Sequence, residues 1–341
     1  MNGDKPTPTL HDVADLAGVS TATVSRCLNF PDRVKQATRD KVMAAVNALG
    51  YAPNFGARAM ASQRTNTIGA IIPTMENAVF ARGLQAFEDE LRQHGFTLLV
   101  ASSSYRADVE EAQIRSLIAR GADALLLIGH DRDPAIYQFL EGQRKPALVT
   151  WAYDPANPRP SVGFDNRAAM RAMAEKVLAL HHRKLALISA PMASNDRARA
   201  RMMGIRDAMA AYGLTPDALA VIETPYGIEN GADAFARLMQ ADDRPTAVFC
   251  GNDVLGVGAL RQARTMGLDV PGDVSVVGFD DIELSQVTYP ALTTVHVPHG
   301  AMGRKAARAL VAMVLHGQPA EITALPTEIV MRGSLAAIDP A

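Results

Sequence analysis

Cysteine is scarce in this sequence, and long apolar runs are missing. Only Cys27 and Cys250 occur among 341 residues, in separate predicted domains, so neither a disulfide framework nor a metal cluster is expected. No run reaches the roughly 18 uninterrupted apolar residues that a membrane helix needs. The opening MNGDKPTPTL also lacks the basic segment and apolar segment of a secretory signal. We therefore expect a cytoplasmic protein whose two cysteines are small core residues.

Signatures of catalysis and of cofactor binding are lacking as well. The glycines of GNDVLGVGAL do not complete G-x-G-x-x-G, and neither a GK[ST] phosphate loop nor a G-x-S-x-G elbow occurs. The pairs His181-His182 and His296-x-x-His299 have no cysteine or acidic ligand at convincing spacing, so we interpret them as solvated or structural histidines. The sequence thus predicts no catalytic residues, no cofactor and no metal, and we expect a protein that is not an enzyme.

Net charge is small but unevenly distributed. The chain carries a formal charge of −2, whereas residues 1–64 hold eight basic and five acidic side chains, or +3, which leaves −5 for the remainder. A modest positive surplus suits a module that contacts phosphates, although a solvated charged face would look the same. The length predicts roughly two to three domains with a large buried core.

Residues 9–26 contain two short helical patterns joined by a turn that starts at Gly18. The apolar positions are Leu10, Val13, Ala14 and Ala17 in the first pattern and Val24 and Leu28 in the second. Thr9, with Asp12 three residues later, can cap the first helix, and Ser20 can cap the second. Gly18 lies where the first helix must stop. This is a helix-turn-helix layout, whose second helix can lie in a DNA major groove.

The rest of the chain predicts one more helix and then an α/β core. The helix spans about residues 36–49 and ends at Gly50. Strand patterns follow at 68–72, 97–101, 124–128, 185–189, 218–222, 247–250 and 274–278, and helical patterns at 80–94, 108–120, 169–180, 197–212, 231–240 and 255–266. Such alternation predicts parallel sheets covered by helices on both faces. Two such units predict two lobes, with a ligand site in the cleft between them.

Several segments resemble one protein family in a fixed order. GVSTATVSR, TRDKVMAAVNALGYAPNFGARAM and TNTIGAIIP are similar to the headpiece, hinge and first core strand of the LacI/GalR family of bacterial transcription repressors. Later segments continue the resemblance: VGFDNRAAM, RARMMGIRDAM, FCGNDVLGVGAL and VSVVGFDDIELSQVTYPALTTVHVPHGAMGRKA. It implies a small all-α helix-turn-helix headpiece followed by an α/β core of two Rossmann-like lobes, like that of periplasmic binding proteins. The implied boundaries are 1–52 for the headpiece, 53–64 for a hinge helix and linker, and 65–341 for the core, with an N-lobe of about 65–164 plus 296–323 and a C-lobe of about 165–292 plus 324–341.

Candidate DNA-binding residues lie on the second helix. Thr21, Ala22 and Arg26 are expected on its groove-facing side, with Thr23 and Ser25 near phosphates, because arginine can hold guanine O6 and N7 bidentately and methyl groups can contact thymine. Alternatively, Arg26 is a surface arginine that pairs with Asp15 or Asp32. The resemblance adds three hinge residues, which are Asn54, Arg58 and, at the position of a leucine that wedges between base pairs, Met60.

Candidate effector-binding residues lie at predicted strand ends. Asp253 can accept hydrogen bonds from two ligand hydroxyls, and Arg201, expected on the opposite cleft wall, can donate several. Asp253 is also a reasonable helix N-cap. Trp151 and Tyr226 can cover a sugar or base face, but each could equally be packing. With the residues that the resemblance implies, the predicted effector set is Phe80, Trp151, Asp165, Arg201, Tyr226, Asp253 and Asp280.

The predicted function is a sequence-specific DNA-binding transcriptional regulator. Its expected partners are operator DNA, a second copy of the chain in a homodimer, and a small effector, with no membrane. A sugar or sugar acid suits the acids and the arginine, while a purine-type corepressor is the alternative. The alternating core alone would equally fit a Rossmann-like enzyme or an exported solute-binding protein. The headpiece argues against both.

Overall fold

The computed structural model describes residues 7–52, 64–76 and 78–339. The chain divides into two compact units, with the division between Thr65 and Asn66. The predicted hinge residues Asn54, Arg58 and Met60 lie outside the described residues.

The first unit is a helical headpiece. Its helices are α1 (Leu10–Ala17), α2 (Thr21–Asn29) and α3 (Gln36–Leu49), with a 3₁₀ turn at Pro31–Arg33. Thr9 and Asp12 form a capping box on α1, where the Thr9 amide donates to Asp12 Oδ2 over 2.7 Å. Ser20 caps α2 by accepting from the Thr23 amide. Gly18 ends α1 with φ of +66°. The predicted helix-turn-helix and its caps are therefore confirmed.

Small apolar side chains form the headpiece core. They are Val13, Ala14, Val24, Cys27, Val42, Ala45 and Val46. The prediction that Cys27 is a core residue is correct, and Cys250 is likewise buried and free in the second unit.

The second unit contains two parallel sheets. The first has the order β11-β5-β4-β3-β1-β2, where β1 is Thr67–Ile72, β2 Thr97–Ser102, β3 Ala124–Ile128, β4 Ala147–Thr150, β5 Ser161–Gly163 and β11 Thr323–Ala324. The second has the order β7-β6-β8-β9, where β6 is Leu185–Ser189, β7 Ala220–Glu223, β8 Ala247–Cys250 and β9 Ser275–Val277. An antiparallel pair, β10 (Thr294–His296) with β12 (Glu328–Val330), forms a separate sheet, and isolated bridges connect the β10 segment to the end of β9.

Helices cover both sheets. The helices that pack on the first sheet are α4 (Ala78–Gln93), α5 (Ala107–Ala119), α6 (Pro134–Gly142) and α12 (His299–His316). Those of the second sheet are α7 (Asn166–Ala179), α8 (Asp196–Ala211), α9 (Ile228–Met239) and α10 (Asp253–Thr265), and α11 (Leu284–Val287) is a single turn. All six residues of β1 are buried, so this strand is covered on both faces, as is typical of parallel sheets. The two-lobed α/β core is confirmed, whereas the exact lobe boundaries remain predictions.

The sequence pattern missed α6, β4, β5 and every element after β9, namely α11, β10, α12, β11 and β12. The missed strands have at most four residues, too few for a periodicity to be visible, and α6 begins at a proline after the Asp133 cap. Within the described residues, every helix is too short or too polar to cross a membrane.

Candidate functional site

The exposed face of α2 carries the predicted DNA-binding side chains. Thr21, Ala22 and Arg26 are exposed, whereas Thr23 and Ser25 are half-buried. Ala22 and Arg26 are four residues apart and therefore share one face of the helix. No ion pair joins Arg26 to Asp15 or Asp32, so the alternative that Arg26 is tied to these acids is not seen in the described headpiece. The guanidinium is thus available to a ligand.

A cleft of about 500 Å³ lies between the two lobes at the carboxyl ends of their strands. The first lobe supplies Thr74, Glu76, Ser104 and Tyr105, and the second supplies Ala190, Pro191, Ser194, Pro225, Tyr226 and Val254. These residues follow β1, β2, β6, β7 and β8, which is where open parallel sheets bind ligands. Of the predicted effector set, Tyr226 lines this volume directly.

Arg201 lies behind Tyr226. Its Nη2 donates to Tyr226 Oη over 2.9 Å and its Nη1 to Asn166 Oδ1 over 2.8 Å, and its guanidinium stacks 4.7 Å from the Phe279 ring centroid. Arg201 Nε is buried without a hydrogen-bond partner. Arg201 and Asp253 both belong to the second lobe, so the expectation that they face each other from opposite walls is wrong. The free Nε–H is nevertheless a donor that a ligand can satisfy.

Trp151 follows β4 in the first lobe and is only 3 % exposed. Its ring centroid lies 5.4 Å from that of Phe80 and 6.2 Å from that of His299. A Cβ on Gly83 would come within 2.5 Å of the indole, so this glycine makes room for the ring. Trp151 Nε1 has no hydrogen-bond partner. The indole is therefore both packed, as one interpretation of the sequence held, and left with an unused donor.

Asp280 is buried in the second lobe beside two arginines. Burial raises the pKa of Asp280 to about 7, and Arg201 and Arg197 oppose that shift. His299 Nε2 lies 4.0 Å from Asp280 Oδ1, beyond hydrogen-bond distance. Burial lowers the pKa of His299 to about 4, so the imidazole is neutral near pH 7. Carboxyl, imidazole and guanidinium groups thus approach one another near the lobe junction.

Asp253 and Asp165 have partners within the protein. Asp253 is fully buried, where its Oδ1 accepts from Thr294 Oγ1 over 2.5 Å and its Oδ2 accepts from the Ile282 amide over 2.8 Å. Asp253 is not the N-cap of α10, because Asn252 fills that position. Asp165 caps α7 by accepting from the Ala168 amide. The structure therefore gives both carboxylates hydrogen-bond partners within the protein, and their place in the effector set stays a prediction.

Sequence reasoning overlooked three residues beside the site. Asn252 is 2 % exposed and leaves Nδ2 without a partner, and its place directly before Asp253 was the available signal. His299 was interpreted as solvated or structural, but it is buried against Trp151 and near Asp280. Tyr105 faces Tyr226 across the cleft with ring centroids 5.9 Å apart, and no motif marked it.

His182 and His296, one from each histidine pair, differ in burial and in their hydrogen-bond partners. His182 is buried between Thr246 Oγ1 and the Ala336 carbonyl, so it is structural as interpreted. His296 is half-exposed and pairs with Asp281 over 2.8 Å. In the described part of the chain, no group of three or more His, Cys, Asp or Glu residues is placed to hold a metal ion.

Replacing Asp280 with asparagine is expected to change how stability depends on pH. Because the pKa of Asp280 rises from 3.8 to about 7 on folding, its contribution to stability is fully present below pH 3.8 and is lost as the pH rises through 7. The free energy of unfolding of Asp280→Asn, relative to that of the parent, should therefore increase from pH 5 to pH 8 in urea titrations.

Asp207→Asn is the matched control for that measurement. Hydrogen bonds from the Arg167 guanidinium hold the pKa of Asp207 below its usual value. Its contribution to stability is thus present above the unfolded pKa and is lost only as the pH falls through the lowered pKa. Because the partner of Asp207 is an arginine, which does not titrate in this range, the difference between Asp207→Asn and the parent should be flat from pH 5 to 8. If the difference in free energy of unfolding between Asp280→Asn and the parent is also constant from pH 5 to 8, the raised pKa of Asp280 is contradicted.

Sequence models of two protein families match separate parts of the chain. The bacterial regulatory proteins of the lacI family match residues 9–54, and the periplasmic binding protein-like domain matches residues 174–335. The first match covers the helix-turn-helix and the second covers most of the second lobe and α12.

Similar proteins extend over almost the whole chain. The HTH-type transcriptional regulator GntR of Escherichia coli (strain K12) is 32 % identical over 312 residues, which cover 91 % of this chain and 93 % of GntR. The HTH-type transcriptional repressor CytR of the same strain is 32 % identical over 333 residues, which cover 97 % of each chain. The crystal structure of the lac repressor dimer bound to operator and the anti-inducer ONPF has a TM-score of 0.85 and 28 % identity, and the match covers 97 % of this chain and 100 % of that one. The chain therefore belongs to the LacI family of bacterial regulatory proteins, whose members are DNA-binding transcriptional regulators.

Proposed function

We propose that this protein is a dimeric repressor whose affinity for operator DNA is controlled by a small ligand between its lobes. One observation carries the proposal. A helix-turn-helix headpiece shares the chain with an interlobe cleft, and buried donors of Arg201 and Asn252 have no hydrogen-bond partner among the described residues. Arg201 contacts the cleft residue Tyr226, and Asn252 precedes the cleft residue Val254 by two positions. Since buried polar groups are normally satisfied, donors left unpaired beside a cleft indicate a ligand.

The headpiece residues proposed to contact DNA are those predicted from the sequence, namely Thr21, Ala22, Thr23, Ser25 and Arg26 on α2 and Asn54, Arg58 and Met60 in the hinge. Exposure of Arg26 and its lack of an ion pair with Asp15 or Asp32 support base reading by α2. The three hinge residues rest on the resemblance alone.

The proposed effector is a sugar or sugar acid. Tyr226 remains in the effector set because it lines the cleft, Arg201 because it donates to Tyr226, and Asp280 because it lies near Arg201. Phe80 and Trp151, which pack on each other, stay in the set on the resemblance. We add Asn252 and His299 and assign Asp253 and Asp165 a supporting role. A purine-type corepressor is the alternative, because Tyr105 and Tyr226 give the cleft two aromatic rings on either of which a base could stack.

Dimerisation is supported by an exposed apolar patch on the second lobe. Around the turn α11, Leu284 is 42 % exposed, Val287 77 % and Tyr289 92 %, and Met331 nearby is 46 % exposed. Contiguous apolar surface of this kind marks a protein interface. A second copy of the chain is the proposed partner, as in the lac repressor dimer. We further propose that the protein acts in the cytoplasm and catalyses no reaction.

DNA binding with and without candidate ligands tests the function. The purified chain is titrated onto DNA from upstream of its own gene, alone and with a panel of sugars, sugar acids and purines. Specific binding that one compound reverses would establish a ligand-released repressor, and binding that one compound strengthens would establish a corepressor. Equal affinity for upstream and random DNA in every condition would contradict the proposal.

A further inference from the structure

Two loops from opposite lobes meet at one side of the cleft. The loop after β3 contains Gly129, His130 and Asp131, and the start of α8 contains Asp196 and Arg199. The His130 amide donates to Asp196 Oδ2 over 2.6 Å, and Arg199 Nη2 donates to Asp131 Oδ1 over 2.5 Å. We call these five residues the clamp.

The backbone of Gly129 lies close to the side chains of Asp196 and Arg197 in the other lobe. Gly129 has φ of +72°, which favours glycine, and a Cβ there would lie 2.4 Å from Asp196 Oδ1 and 1.9 Å from Arg197 Nη1. A larger residue at this position would therefore be strained and would displace both side chains. Such close contact across the lobes is specific to one relative position of the two loops.

Each half of the clamp is fixed to its own lobe. Arg132, whose side chain is 2 % exposed, donates to the carbonyls of Gly129 and Ile128 and pairs with Glu110. On the other side, Arg199 Nη1 donates to the Met192 carbonyl. Since both halves are rigidly held, separating the clamp requires the lobes themselves to move.

Each clamp aspartate is paired with an arginine. Asp196 pairs with Arg197 of its own lobe over 2.8 Å and also accepts from the His130 amide, and together these contacts hold the pKa of Asp196 below its usual value despite burial. Asp131 pairs with Arg199 of the other lobe. Separating the lobes would therefore leave the partly buried charges of Asp131 and Arg199 without each other.

From these contacts we infer that Asp131 and Arg199 are positioning residues that set the equilibrium between joined and separated lobes, and thereby effector affinity, without touching the effector. The link to effector affinity rests on the proposed function. Neither residue belongs to the effector set. A ligand that favours one lobe arrangement must act with or against the free energy of this clamp.

Charge exchange across the clamp tests the inference. Asp131→Arg and Arg199→Asp are compared with the double variant that carries both changes, in the full chain without DNA or ligand. Hydrogen exchange of the segment containing the His130 amide should become about tenfold faster in each single variant, because one charge-assisted hydrogen bond shifts an opening equilibrium by that order. The radius of gyration in solution scattering should increase, and the double variant should restore both values.

Controls separate the clamp from general instability. Arg206→Gln lies on the same helix but pairs with Asp217 of its own lobe, so both measurements should stay at parental values. Asp131→Asn removes the charge without reversing it and should shift both values in the same direction as Asp131→Arg. Unchanged exchange in the single variants, or a double variant no better than the singles, would overturn the inference. Neither measurement depends on operator binding. The experiment can therefore contradict the inference about the clamp without contradicting the proposed function, and a failure of the proposed function would leave these two measurements unaffected.

Discussion

Arg201→Gln is expected to raise the ligand concentration for half-maximal response by about 30- to 4,000-fold, with operator binding retained in the absence of ligand. Losing one member of a buried, hydrogen-bonded charge pair costs about 2–5 kcal/mol, and each 1.4 kcal/mol is about tenfold. The variant removes the unpartnered Nε–H and the positive charge that opposes the raised pKa of Asp280. Isothermal titration with a ligand identified by the panel gives the affinity directly.

We expect Arg201→Gln to lower the free energy of unfolding as well as the affinity for the ligand. Without the guanidinium, Tyr226 and Asn166 each lose a hydrogen bond. Arg206→Gln on the same helix is the matched control, since its side chain pairs with Asp217 away from the cleft. Wild-type ligand affinity in Arg201→Gln, with its fold intact by circular dichroism, would remove Arg201 from the site.

Arg26→Ala is expected to weaken operator binding by about 1 to 3 kcal/mol and to weaken binding to random DNA much less. A bidentate arginine contributes this much to discrimination between bases, whereas contacts to phosphate act on any sequence. Fluorescence anisotropy with an operator and a scrambled duplex at one fixed salt concentration measures both affinities.

The comparison of the two duplexes decides between two roles of Arg26. Its side chain is exposed and lies outside the headpiece core, so the fold and melting temperature should stay unchanged. Equal losses on operator and scrambled DNA would assign Arg26 to the phosphate backbone and contradict base reading.

Local chemistry made most of the fold predictable. The Thr9–Asp12 capping box, the Ser20 cap and the left-handed Gly18 depend on residues within one helical turn, and all appear as expected. The long alternation of apolar strands and amphipathic helices likewise required parallel sheets. Elements whose stability comes from tertiary neighbours, such as the three-residue β5, carry no such local signal.

The site was less predictable, because it depends on distant contacts. Asn252 and Asp253 are adjacent after β8, and the sequence alone does not decide which of them caps α10. Thr294, 41 residues from Asp253, donates to the Asp253 carboxylate, while Asn252 is the N-cap and its Nδ2 has no hydrogen-bond partner among the described residues. Tyr105 reaches the cleft for a similar reason, through a loop after β2 that no pattern marked.

Trp151 has a practical consequence, since it is the chain's single tryptophan. Its indole packs against Phe80 and His299, which belong to the proposed effector set, so the tryptophan emission of the unlabelled protein, excited where the seven tyrosines do not absorb, comes from that one place. Because the pKa of His299 is lowered to about 4, its imidazole stays neutral and does not add a pH-dependent quencher near neutrality. The protein thus contains its own optical reporter, with which compounds can be screened by emission intensity before any DNA target is known.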